Sequence, residues 1–163
     1  MMCFCTVGTT KFDELIDKVT RTEFIDLLIK LGFKKLLIQT GNSTIPNIPK
    51  SKNFLIELYT FKPSILQDIQ NATLILSSGG SGTILECLEN HKKLLVIVNS
   101  SLQDNHQLEL SRELNTQGYL MMTNMEQLNE KFELLHSQFK PKEWTPSKDG
   151  SLKLIDVFNE LLY

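Results

Sequence analysis

Six short apolar runs punctuate the chain, and the constraint they impose on the fold is that they do not alternate with polar residues. They read "CFCTV" (residues 3–7), "KLLIQT" (35–40), "FLIELYTF" (54–61), "TLILSS" (73–78), "LLVIV" (94–98) and "YLMM" (119–122). A strand with one wet face alternates, whereas a strand apolar on both faces must be covered on both, the condition of a parallel sheet between two helical layers. The intervening segments have the spacing to form those layers. Phe12, Leu15, Ile16 and Val19, then Phe24, Leu27, Leu28 and Leu31, recur at helical intervals, and Gly32 stops them. Helices are predicted over residues 63–70, with Pro63 near the first position, over about 83–90, over 104–116 with Leu108 and Leu114 inward, over 125–136 and over 152–162. Residues 41–52, "GNSTIPNIPKSK", are predicted to form an exposed, mobile loop. The expected fold is α/β, a Rossmann-like doubly wound parallel sheet, over residues 1–139, followed by a linker and a terminal helix over 140–163.

Composition narrows the function classes. A chain of 163 residues that is 41% hydrophobic and 22% charged suits one domain with a core. Its net charge of −2 supplies no basic excess for phosphate backbones, so no nucleic-acid partner is expected. The three cysteines include Cys3 and Cys5, two apart in one strand, where they share a face without bridging geometry; reduced thiols in a cytosolic setting are expected. Neither a C-x-x-C pair nor a Cys/His cluster suggests a metal site. The longest apolar run, residues 94–98, is far short of the ~20 residues of a membrane span, and strand-like sequence from the start leaves no signal peptide expected.

The stretch "LILSSGGSGTILECLE" (residues 74–89) carries the chemistry: a strand, a glycine-rich turn, then a helix. Gly79, Gly80 and Gly82 let backbone approach a ligand closely, and the free amides of a helix start favour an anion, so phosphate or diphosphate is the natural guest. A tight turn that merely packs well explains the same glycines. A Walker loop needs Lys-Ser/Thr after its last glycine, but Thr83-Ile84 follow Gly82. A dinucleotide fingerprint needs a third glycine and an acid ending the next strand; Leu85 and Asn99 stand there. Glu86, one turn into the helix, is placed to reach a ribose beside a diphosphate, unless it is a solvated helix glutamate. In "QDNHQLELS" (103–111), Asn105, His106 and Gln107 offer donors and acceptors suited to a sugar, unless Asp104 or Asn105 simply caps the helix.

Taken in order, "TVGTTKFDELI" (6–16), "SSGGSGTILECLE" (77–89) and "DNHQLELSREL" (104–114) resemble the cytosolic donor-binding subunits of the two-subunit UDP-N-acetylglucosamine transferase of dolichol-linked oligosaccharide synthesis. These carry a glycosyltransferase family 28 C-terminal domain, the donor-binding half of a GT-B glycosyltransferase. The resemblance implies that Gly8, Thr9 and Thr10 lie near the donor phosphates and the acceptor and that Phe61 and Lys62 flank the uracil. It further implies that Ser78, Gly79, Gly80, Ser81, Gly82 and Thr83 hold the diphosphate, Glu86 the ribose, and Asn105, His106 and Gln107 the N-acetylglucosamine. This chain departs from the family's Ser-His-Ala-Gly-Ala-Gly-Ser pattern by carrying Ser78 in place of the histidine. Serine donates a hydrogen bond but bears no positive charge, leaving backbone donors and helix polarity to stabilise the leaving group.

The implied activity is that of one subunit of an inverting β-1,4-N-acetylglucosaminyltransferase. It moves the sugar from UDP to N-acetylglucosaminyl-diphospho-dolichol, the second step of lipid-linked oligosaccharide assembly for N-glycosylation. The acceptor half is then expected from a membrane-anchored partner in a heterodimer that recruits the chain to the cytosolic face of the endoplasmic reticulum. Leu154, Ile155, Phe158, Leu161 and Leu162 form a stripe for docking that partner or for covering this domain's own sheet. No cofactor or protein-bound metal is expected, and no catalytic base is assigned to His106, Glu86 or any other residue. The competing expectations are a non-catalytic nucleotide-sugar-binding or scaffolding module, and a stand-alone enzyme acting on a soluble acceptor.

Overall fold

Strands β1 (Met2–Thr6), β2 (Lys35–Gln39), β3 (Leu55–Tyr59), β4 (Leu74–Ser77), β5 (Lys93–Ile97) and β6 (Met121–Thr123) form one sheet in the order β3-β2-β1-β4-β5-β6, every neighbouring pair parallel. The computed structural model describes residues 1–99 and 105–145. The expected helix over 152–162, with Leu154, Ile155, Phe158, Leu161 and Leu162, lies outside the described residues. The helices are α1 (Asp13–Thr20), α2 (Thr22–Lys30), α3 (Leu66–Asn71), α4 (Ser81–Glu89), α5 (Asn105–Thr116) and α6 (Leu128–Ser137). Strand order reverses between β1 and β4, so the connections leaving these two strands diverge to opposite halves of the sheet and open a crevice at their carboxyl ends.

The absence of alternation is explained by two cores. On one face Cys3, Cys5, Leu36, Ile38, Leu74, Leu76, Leu95 and Ile97 of the strands pack against Leu15, Ile16 and Val19 of α1, Phe24 and Leu28 of α2, and Leu128, Phe132 and Leu135 of α6. On the other, Phe4, Leu37, Ile75, Leu94 and Val96 meet Ile69 of α3, Ile84, Cys87 and Leu88 of α4, and Leu110 and Leu114 of α5. Consecutive strand residues thus point to opposite faces and are apolar on both. Lys92 and Lys93 use the same alternation. Lys92 Nζ donates to the carbonyls of Gln70 and Ala72 at 2.6 and 2.9 Å, while Lys93 Nζ donates to those of Leu135 and His136 at 3.0 Å each. Each lysine therefore satisfies carbonyls at the C-terminus of a helix on its own face, α3 or α6.

Several boundaries differ from the sequence expectation. The helix expected at Pro63 starts at Leu66, because the intervening turn is tied by the Leu66 N–H to Ser64 Oγ (3.3 Å) and by Lys62 to Asp68. β6 starts two residues late, since the Tyr119 N–H bonds to the carbonyl of Leu114 and Gly118, at φ +82°, completes the end of α5. α6 starts at Leu128 after a turn in which Asn124 Oδ1 accepts the Gln127 N–H. Leu110, rather than Leu108, joins Leu114 in the core, two residues being about 200° around a helix. The loop over 41–52 is anchored at its start: Ser43 is buried and its Oγ accepts the Phe12 N–H at 2.8 Å, and Asp13 accepts the Thr44 N–H at 2.8 Å. That bond, together with Lys11, holds the Asp13 carboxyl below the usual range. Trp144, in the stretch expected to be a linker, is buried against Tyr119 with ring centroids 5.3 Å apart.

Two outcomes follow from this packing. Phe132, fully buried and edge-on to Phe24 at 5.2 Å with Phe33 at 5.7 Å, is a joint of α2 and α6; Phe132→Ala is expected to lower unfolding free energy in urea by about 3–5 kcal/mol. Burial pushes the Cys5 and Cys87 thiols up to about 12 and raises Cys3 as well. The native protein at pH 8 is expected to give no reaction with an aromatic disulfide reagent, and the urea-unfolded protein three equivalents. A raised thiol pKa contributes stability that is complete below the unfolded value near 9 and is lost as pH rises from there towards 12.

Candidate functional site

The site starts from two hydroxyls. Thr6 ends β1 and Ser77 ends β4, and the two are directly paired across the sheet. Each accepts the N–H of a glycine two residues on, Gly8 to Thr6 Oγ1 at 3.0 Å and Gly79 to Ser77 Oγ at 3.1 Å. Both glycines are left-handed, at φ +62° and +92°, so each strand turns sharply outward at the same level of the sheet. The Thr6 hydroxyl in turn donates to Gln39 Oε1 at 2.6 Å, tying the end of β2 into the same layer.

Residues 7–10 form one wall. The Thr10 N–H and Oγ1 both bond to the Val7 carbonyl, at 3.2 and 2.7 Å, and the Asn42 N–H bonds to that of Thr10 at 3.0 Å. Gly41, at φ +52°, lies against this wall so closely that a Cβ would collide with the Thr10 carbonyl oxygen and come within 2.7 Å of that of Gly8. The opposite wall is the glycine turn. α4 starts at Ser81, two residues earlier than the spacing suggests, because Gly80 is already its extended N-cap and Gly82 fits the first turn. Its first intrahelical bond is Ile84 N–H to Gly80 carbonyl, so the amides of Ser81, Gly82 and Thr83 precede the ladder, and no side chain caps them.

Between the walls is a cavity of about 480 Å³ lined by Gly8, Thr9, Thr10 and Ser78 through Thr83, with Val96 of β5, Val98 and Asn99 beyond it, and Gln107, Leu108 and Ser111 of α5. Uncapped amides and a helix N-terminus at one side make it fit for an anion; its size and partly apolar lining suit a larger molecule attached to that anion. Gln107 reaches it with the residues of the turn. Asn105 and His106 open α5, but their side chains lie outside the described part of the structure.

Phe61, Lys62 and Glu86 do not line this cavity. Phe61 is 63% exposed just beyond β3. Lys62 is engaged locally: its Nζ lies 2.8 and 3.0 Å from the carboxylate of Asp68, which also accepts the Tyr59 hydroxyl at 2.6 Å, and it sits 4.1 Å over the Tyr59 ring. Burial and the neighbouring Asp68 push the Tyr59 hydroxyl well above its ordinary pKa. Glu86 is half-buried on α4, and its Oε2 is shielded from solvent with no hydrogen-bond partner among the described residues. Such an oxygen is a site awaiting donors. Sequence reasoning missed Asn99 and Ser111; their only signal was position, after the apolar run of β5 and one helical turn beyond Gln107. Among the described residues no His, Cys, Asp or Glu side chains cluster in threes, and no helix is long and apolar enough to cross a membrane.

Comparison with known proteins gives three findings. Residues 2–153 match the model of the glycosyltransferase family 28 C-terminal domain. The human UDP-N-acetylglucosamine transferase subunit ALG13 is 42% identical over 122 residues, 74% of this chain and 11% of that protein. This chain spans about a tenth of the length of the mammalian relatives it matches. In fold, it superposes on the solution structure of ALG13 with a TM-score of 0.68 at 24% identity, over 96% of this chain and 94% of that one. It also superposes on the calicheamicin glycosyltransferase CalG4 with a TM-score of 0.64 at 11% identity, over 98% of this chain and 37% of that one.

The glycines of the turn are expected to respond oppositely to a methyl group. At Gly79 a Cβ meets the left-handed backbone and lies 3.1 Å from Val96 Cγ1, so Gly79→Ala is expected to cost about 1–3 kcal/mol. At Gly82 a Cβ meets nothing within 4 Å in a helical backbone, so Gly82→Ala is expected to stabilise by about 0.4–1 kcal/mol. Urea titration of both variants reads the two signs.

Proposed function

The chain belongs to glycosyltransferase family 28, matching its C-terminal domain, and from that premise we propose that it is the UDP-N-acetylglucosamine-binding subunit of an inverting β-1,4-N-acetylglucosaminyltransferase. The acceptor is N-acetylglucosaminyl-diphospho-dolichol, and the product is the chitobiosyl lipid that enters N-glycosylation. The observation that carries the reading is the cavity at the point where strand order reverses, with the uncapped amides of Ser81, Gly82 and Thr83 on one side and Gly8 to Thr10 on the other.

In this reading the diphosphate sits on the turn formed by Ser78, Gly79 and Gly80 and on the helix start, and Glu86 accepts the ribose hydroxyls. Its buried, unpartnered Oε2 supports that role. The uracil stacks on the exposed ring of Phe61, with Lys62 held beside it by Asp68. Gln107, with Asn105 and His106 before it on α5, faces the transferred sugar. The acceptor hydroxyl attacks the anomeric carbon, the bond to the diphosphate breaks, and negative charge grows on UDP as it leaves. Preorganised amides stabilise that charge where it develops, which is the largest contribution the chain makes to the reaction. Ser78 adds a neutral hydroxyl donor there. We assign no general base to this chain and no requirement for a bound metal; the absence of an Asp-x-Asp sequence supports the latter.

The acceptor side belongs to a membrane-anchored partner subunit, which recruits the chain to the cytosolic face of the endoplasmic reticulum. The relatives' description as a subunit supports a partner. The stripe of Leu154, Ile155, Phe158, Leu161 and Leu162 is the proposed docking element.

Transfer of labelled N-acetylglucosamine from UDP to a short-chain N-acetylglucosaminyl-diphospho-lipid tests this reading, with the chain alone and co-expressed with the membrane subunit. Activity is expected only with the partner and without added metal. Glu86→Ala is expected to weaken UDP-N-acetylglucosamine binding about tenfold or more, the value of hydrogen bonds to a charged acceptor, without loss of folding stability. A formed complex that binds donor but transfers nothing is the outcome of a non-catalytic binding module.

A further inference from the structure

Ser111 has a hydroxyl that the fold does not use. It lies on the inner face of α5, beside Leu110 and one turn before Leu114, and is 1% exposed. A serine inside a helix ordinarily donates to the carbonyl four residues back or faces water. Ser111 Oγ does neither: it is closed to solvent and has no hydrogen-bond partner among the described residues. Leaving a hydroxyl in that condition is costly, and such groups in native proteins call for a reason.

Its position supplies one. Ser111 lines the cavity together with Gln107 and Leu108, which places one continuous strip of α5 on its wall. Its Oγ is 3.6 Å from the point where a Cβ on Gly79 would stand. The hydroxyl therefore sits directly behind the turn whose backbone and following amides form the anion site. A serine has three staggered side-chain wells, so rotation about its Cα–Cβ bond re-aims Oγ without moving the helix.

We propose that Ser111 is an additional donor-site residue, whose hydroxyl turns into the cavity and donates a hydrogen bond to a diphosphate oxygen of the bound nucleotide sugar. The inference rests on the UDP-sugar reading above and extends it to a residue on α5. The hydroxyl is a neutral donor, which suits an anionic oxygen already surrounded by backbone N–H groups. With Ser78 it gives the diphosphate one hydroxyl from the turn and one from the helix behind it, a compensation for the missing positive charge of the histidine in the family pattern. The unpaired state seen here is then the cost of a group shaped for the ligand rather than for the fold.

Ser111→Ala separates this role from a structural one. Calorimetric titration with UDP and UDP-N-acetylglucosamine, a competition with uridine, and thermal unfolding are measured on the wild-type chain and the variant. The expected result is an unchanged or raised melting temperature in the absence of ligand and an affinity for UDP and for UDP-N-acetylglucosamine reduced about tenfold alike, with uridine unaffected. Three results overturn the inference: unchanged affinity for UDP, a loss confined to UDP-N-acetylglucosamine, which moves the contact to the sugar, or a fall in melting temperature without ligand, which shows the hydroxyl is paired within the fold. A wild-type chain that binds neither UDP nor UDP-N-acetylglucosamine overturns the donor-site reading itself, and this inference with it.

Discussion

The site depends on one paired constraint at the edge of the sheet. Thr6 and Ser77 occupy facing positions on adjacent parallel strands, and each hydroxyl captures the amide of a left-handed glycine two residues later. A strand that simply continued would carry its side chains on past the helices into solvent. Closing both strands at one level instead turns two backbone segments away from each other, and the space between them becomes the cavity. The left-handed backbone at Gly8 and Gly79 is what lets the turn be this tight, and at Gly79 the Val96 side chain leaves little room for anything larger than hydrogen.

Everything behind these turns holds them still. The Thr6 hydroxyl donates a hydrogen bond to Gln39, and Gly41 packs its backbone against the carbonyls of Gly8 and Thr10, so the first wall is braced by the end of β2. The second wall is braced from below by the core that α4 and α5 share, through Ile84, Cys87, Leu110 and Leu114. Helix N-terminal amides are useful to an anion only if they are fixed before it arrives, since reorganising dipoles at the moment of reaction would consume the stabilisation they provide. A covered, two-faced sheet meets that requirement, because β1, β2, β4 and β5 are buried between helices and the carboxyl ends of the central strands open to the cavity.

Two of the buried polar atoms left unpaired among the described residues lie on α4 and α5, the helices that contribute to the cavity. Glu86 keeps a shielded carboxylate oxygen unpaired and Ser111 keeps a hydroxyl unpaired, as Asn129 does its side-chain oxygen on α6, away from the cavity. Other polar side chains are closely paired. Two adjacent lysines close the C-termini of α3 and α6 on opposite faces, and Asp68 gathers the hydroxyl of Tyr59 and the ammonium of Lys62.

The layered α/β architecture was legible in the sequence because it rests on local patterns: unalternating apolar runs of strand length, amphipathic helices between them, and glycines at the exits. The strand, glycine turn and helix start that line the cavity were legible for the same reason, since they are contiguous in the chain. The sequence could not show that α4 begins inside the glycine turn, that residues 41–44 are pinned against 7–13, or that Trp144 packs on Tyr119. Each of these depends on groups distant in sequence, as Ser43 with Phe12 and Gly41 with Thr10 illustrate. Nor does spacing reveal which helix residue is left unpaired: Leu108 reads as a core position and Ser111 carries no signal until the helix is set against β6 and the glycine turn. Local periodicity thus determined the elements and their order, while the tertiary structure alone decided which polar atoms meet and which stay unpaired, because hydrogen bonding and burial are properties of neighbours in space.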